Sequence, residues 1–103
     1  MNYKLIVTYN THRQIDNAIN YLLYELKSKQ AAKHLIQELK QIYESLQINP
    51  YQFSFCNDTY LRSKEYRIAH FYSMRYLLIF KVVKNEISIL GFFHSLENYS
   101  DKL

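Results

Sequence analysis

The sequence predicts an α+β domain: an N-terminal strand, then an antiparallel two-helix hairpin packed on one face of a C-terminal antiparallel sheet. Three observations carry this. Two apolar repeats at helical spacing follow one another between Ile15 and Leu46, only Lys27-Ser28-Lys29 separates them, and three strand-like runs occupy the stretch from Tyr66 to Phe93. With 103 residues, 49% hydrophobic and 17% aromatic, the chain can bury one core. A single glycine and a single proline leave no linker composition to divide it, so residues 1–103 are expected to form one domain.

Tyr3 to Thr8 reads as a short strand, with Leu5 and Val7 on one side. Thr11-His12-Arg13-Gln14 has the form of a capping box and predicts a helix start there. The first helix would bury Ile15, Ala18, Ile19, Leu22, Leu23 and Leu26. The second would bury Ala32, Leu35, Ile36, Leu39, Ile42, Tyr43 and Leu46, and would stop before Asn49-Pro50, because proline pushes its predecessor out of helical geometry. Pro50 to Lys64 shows no period and reads as a long loop pinned by Tyr51, Phe53, Phe55 and Tyr60. The strand candidates are Tyr66 to Phe71, Tyr76 to Val83 and Glu86 to Phe93. The middle one is apolar on both faces, as suits an interior strand. Lys84-Asn85 reads as a tight turn with asparagine at positive φ.

Cys56 is the only cysteine, so no internal disulfide can form, and its spacing from the four histidines matches no metal site. No metal and no cofactor is expected. No apolar run approaches the ~20 residues needed to span a bilayer, and no signal peptide is recognisable at Met1, so a cytoplasmic protein without membrane contact is expected. Net charge is +4, unevenly placed. Arg62, Lys64, Arg67, Arg75, Lys81 and Lys84 against the single acid Glu65 give +5 between Arg62 and Lys84, and seven bases against eight acids give −1 elsewhere. This basic half is the candidate surface for a polyanion or an acidic protein.

Several segments together resemble one family. Leu61-Arg62-Ser63-Lys64-Glu65-Tyr66-Arg67 is similar to its entry into the sheet, Tyr76-Leu77-Leu78-Ile79-Phe80 to its apolar central strand, and His94…Tyr99 to its ending. Ser28, Ala31 and Ala32 resemble the small-residue start of its second helix, and Leu46…Pro50 the end of that helix. The family is the RelE/ParE superfamily of toxins from bacterial type II toxin-antitoxin systems, with the ParE-like branch slightly favoured.

The resemblance implies a toxin that arrests growth when free of a cognate antitoxin protein, with operator DNA reached only through that antitoxin. Two activities share the fold. ParE-like members inhibit DNA gyrase by binding; RelE-like members are endoribonucleases that cut mRNA on the ribosome. A third reading is an inactivated toxin that only binds its antitoxin. Whether the chain is an enzyme is left open by the resemblance. If it is one, Arg67 and Arg75 would grip the scissile phosphate and His94 or Tyr99 would move protons. Departures from the nuclease pattern favour gyrase: Leu77 stands where such nucleases carry an arginine, Ser95, Leu96 and Glu97 replace a glycine-arginine ending, and Glu65 replaces a glycine before the sheet.

Overall fold

The computed structural model describes residues 3–103. Strand β1 (Lys4–Val7) leads into helix α1 (Tyr9–Asn20), which runs on through a π-helical turn, Tyr21–Glu25. Helix α2 (Lys29–Ile48), a 3₁₀ turn (Pro50–Gln52) and the short helix α3 (Thr59–Ser63) precede β2 (Arg67–His70), β3 (Tyr76–Val83) and β4 (Glu86–His94). A 3₁₀ turn, Tyr99–Lys102, follows.

The break between the long helices lies where the sequence places it. Lys27 closes the first at φ 52°, the Ser28 amide donates back to the Leu22 carbonyl (2.8 Å), and the Ser28 hydroxyl accepts from the Ala31 amide (3.1 Å) to start α2. The start of α1 differs from expectation. Thr8, not Thr11, is the N-cap, its hydroxyl accepting from the Thr11 amide (3.2 Å). Thr11 is fully buried and donates to the Ile89 carbonyl (3.1 Å), and Gln14 accepts from the Phe92 amide (2.8 Å). Both residues of the supposed box therefore tie the helix to the sheet, and the Thr11 hydroxyl also meets that of Thr8 (2.7 Å).

The sheet order is β1-β4-β3-β2. β2, β3 and β4 pair antiparallel as expected, but β1 joins the same sheet parallel to β4, from Lys4 opposite Glu86 to Val7 opposite Ile89, so the sheet is mixed. A parallel neighbour needs a long crossover, and the helical hairpin is part of it. On the helix side, Ile15, Leu22, Leu35, Ile42 and Leu46 pack with Leu78, Phe80, Ile87, Ile89 and Phe92.

The opposite face is covered too, which explains why β3 is apolar on both sides. Leu77, Ile79 and Phe93 form a second cluster with Cys56 and Leu61, with Tyr99 and Leu103 packed against it. Pro50 to Lys64 is accordingly not a plain loop. Asp58 caps α3 by accepting from the Leu61 amide (3.0 Å), and α3 presses the fully buried Leu61 onto the sheet. Of the four expected anchors, Phe53 meets Phe80 edge-on at 6.0 Å and Phe55 bridges to Arg67, but Tyr51 and Tyr60 are about half exposed. Leu61 and Cys56 do most of the pinning.

Two turns hold residues with side chains in the left-handed region. Lys84 carries φ 56° in the β3–β4 turn, where Asn85 was expected to, and Glu65 carries φ 62° before β2. A glycine at the Glu65 position would meet the same backbone demand without a Cβ in the left-handed region. Glu65→Gly should stabilise the fold by about 0.5–1 kcal/mol, the relief of the left-handed strain less the entropy a glycine adds to the unfolded chain. A urea midpoint unchanged or lowered would contradict this.

The β2–β3 turn is fixed from the other side of the molecule. Glu38, buried on α2, accepts from the amides of Tyr72 and Ser73 and from the Ser73 hydroxyl, the latter two at 2.9 Å. His34, one helical turn earlier, lies 3.6 Å from the same carboxylate and 2.5 Å from the Ser73 hydroxyl.

Candidate functional site

Strand alternation distributes the basic residues over two faces. Leu77 and Ile79 belong to the cluster away from the long helices, so Arg75 and Lys81, at the same parity, fall on that side. Arg62 and Lys64 belong to α3 and its end, which cover this face, and the Lys64 ammonium lies 4.9 Å from the Tyr60 ring centroid. Lys84 stands at the β3–β4 turn.

Arg67 sits elsewhere. It pairs with Phe80, whose side chain is on the helix face, and its guanidinium donates to the Phe53 carbonyl (2.7 Å) and lies 4.0 Å from the Phe55 ring centroid and 5.1 Å from that of Tyr51. In this state Arg67 locks the segment after Pro50 onto the sheet edge.

The four residues of the expected nuclease site are not gathered. His94 shares the helix face with Phe92 and Tyr76, its ring 5.6 Å from that of Tyr76. Tyr99 stacks on Phe93 at 5.8 Å, on the opposite face. Burial, with lesser contributions from Cys56 and Asp58, pushes the Tyr99 phenol above its ordinary range. Arg75 precedes the residue paired with His94 but falls on the other face, and Arg67 lies about 17 Å from it along β3, at ~3.4 Å per residue over the five positions to Phe80. Leu77, at the position where an arginine would be needed, is sealed in the second cluster. Cys56 is 1% exposed, and burial first, then Asp58, raises its thiol to about 11, which removes it as a nucleophile near neutral pH.

The structure does assemble one cleft that the sequence did not reveal. Between α1 and the C-terminal end of β4 lies an open space of about 660 Å³, lined by Arg13, Gln14 and Tyr21 on one side, Tyr76 and Phe92 below, and His94, Glu97 and Lys102 on the other. It exists because β1 ends at Val7, opposite Ile89, while β4 continues to His94. The bulge between Ile89 and Gly91 turns the Phe92 and His94 amides toward this open edge, where Gln14 Oε1 and Glu97 Oε1 (3.0 Å) accept from them. Burial acts to raise the Glu97 carboxyl, but Lys102, 2.7 Å away, and the His94 amide outweigh it and hold Glu97 below its usual range. The signal that could have pointed here is Gln14: a polar side chain at the spacing of Ile15 and Ala18 beside the buried face of α1.

Among the described residues, no group of three or more His, Cys, Asp or Glu could hold a metal, and no helix is long and apolar enough to cross a membrane. A family model described as ParE toxin of type II toxin-antitoxin system, parDE, matches residues 5–99. Among solved structures, the chain is similar to one described as the chromosomal ParDE TA system from P. aeruginosa, with a TM-score of 0.72 and 17% identity over 89% of this chain and 95% of that one. At that identity the likeness speaks for the fold. The comparison with curated proteins returned no match. A match over nearly the whole chain shows that this protein belongs to the ParE family of type II toxins.

Proposed function

We propose that the protein arrests growth in the cytoplasm when free of its antitoxin, and that it does so by binding DNA gyrase, without chemistry of its own. The observation that carries this reading is the dispersal of Arg67, Arg75, His94 and Tyr99 over two faces of the sheet. Activation of a ribose 2′-hydroxyl, charge stabilisation and leaving-group protonation need groups around one phosphate. The basic residues on and around the α3-covered face remain available to a large anionic target such as an enzyme–DNA complex.

Antitoxin binding fits the helical hairpin. Ile19, Leu23, Ala32 and Ile36 line a groove of about 500 Å³ with Lys29, Lys33 and Lys40 along it, complementary to an acidic segment that folds on contact.

The test compares targets directly. Expression without antitoxin should arrest growth with a DNA-damage response, and the purified protein should inhibit supercoiling by gyrase. Arg67→Ala with His94→Ala, shown by circular dichroism to be folded, should leave the arrest in place. Cleavage of ribosome-bound mRNA that this pair abolishes would replace the gyrase reading with the nuclease one. Absence of any arrest would leave an inactivated toxin that only binds its antitoxin.

A further inference from the structure

We propose that the cleft between α1 and the end of β4 binds a nucleotide unit, its base on the ring of Tyr76 and its phosphate on Arg13. The Tyr76 ring is braced from behind. Tyr76 stacks on Phe92 with centroids 5.0 Å apart and planes at 23°, and Phe92, 3% exposed, is locked in the main core. Bases stack on such rings whatever their identity, since each has a π-face.

The polar groups around this ring point one way chemically. Gln14 has its Oε1 occupied by the Phe92 amide, which fixes the side chain so that its NH₂ is turned away from that amide, and the NH₂ has no acceptor among the described residues. In His94, Nδ1 accepts from the Leu96 amide (3.2 Å), which puts the proton of the neutral ring on Nε2; that N–H likewise has no acceptor among the described residues. Arg13 is exposed on the rim, and its guanidinium makes no ion pair or hydrogen bond among them. Three unfilled donors thus line one aromatic-floored space. Glu97, the one carboxylate there, is already held by Lys102 and by the His94 amide. A ligand that fills the site needs a flat ring for the floor and an acceptor-rich anion for the donors, and a nucleoside phosphate carries both. The volume of about 660 Å³ lies within the ~300–1,000 Å³ of small-molecule sites.

The same chemistry occurs in a free nucleotide and in an unpaired nucleotide of a DNA strand. Titrating the full chain with thymidine 5′-monophosphate, inorganic phosphate and a thymidine hexanucleotide, followed by amide and side-chain NMR signals, separates these sources. The mononucleotide should move the Gln14 side-chain, Phe92 and His94 resonances. Arg13→Ala, at an exposed position, should weaken it at least fivefold, and inorganic phosphate should bind at least tenfold more weakly. A hexanucleotide at least tenfold tighter at the same residues would identify a strand as the ligand, and one no tighter would identify the free nucleotide. The proposal is overturned if neither nucleotide probe moves these signals at millimolar concentration, if the shifts fall instead on Arg62, Lys64, Arg75, Lys81 and Lys84, or if phosphate alone binds equally well. Gyrase is not in the assay, so either result leaves the target reading to its own test.

Discussion

Glu38→Ala should lower stability by about 2–3 kcal/mol, because it removes an ionised acceptor that holds three donors of the β2–β3 turn at once. Hydrogen bonds to a charged group contribute roughly 1.5–3 kcal/mol each, but these three share one carboxylate and water can reach the vacated turn, so they do not add in full. The loss should be local before it is global. The Tyr72 and Ser73 amides should lose protection against hydrogen exchange, while the Phe71 amide, bonded to the Tyr76 carbonyl at 2.9 Å, keeps it. Glu38→Gln retains an oxygen acceptor without the charge and should fall between wild type and alanine. Equal stability of all three in urea would show that the turn holds itself. The 97% exposed Tyr72 at its tip makes the rigidity consequential, since any partner meeting that ring meets it in a position set from α2.

Gly91→Ala should cost about 3 kcal/mol through overpacking. An added Cβ would lie 2.3 and 2.6 Å from two atoms of the Phe93 ring, a distance that cannot be occupied. A flexible side chain could swing aside, but Phe93 is 1% exposed, packed in the second cluster and stacked with Tyr99. The collision must be relieved by pushing Tyr99 and the closing 3₁₀ turn outward or by distorting the bulge beside Gly91. A urea midpoint within experimental error of wild type would refute this packing account. The chain's single glycine is therefore placed by the ring folded over it, and its backbone is not in the left-handed region.

The helices were legible because their apolar residues follow a 3.6-residue period with no glycine or proline to blur it, and Pro50 marked the end of α2. The pairing of β1 was not legible. Four residues of alternating burial carry no sign of direction, and parallel addition to β4 depends on contacts remote in sequence. Helix α3 escaped notice because five residues contain too little period, although Asp58 three positions before Leu61 is its cap. For the candidate site, sequence reasoning could not assign faces. His94 and Tyr99 read as neighbours, yet the adjacent Phe92 and Phe93 point to opposite sides and carry each of them with it. Gln14 reads as a cap in sequence because its use depends on an amide 78 residues away, Phe92 beyond the bulge.

The parallel pairing of β1 also bears on when this protein becomes itself. Its ladder partner lies at the far end of the chain, and the Thr11 hydroxyl seals the junction to Ile89 across a separation of 78 residues. On the ribosome, β1 and α1 emerge long before β4 exists, so the first strand stays unpaired and the helical hairpin lacks its sheet until synthesis has passed His94. The native shape, and any hazard it poses to the cell that makes it, is thus withheld until β4 has been made.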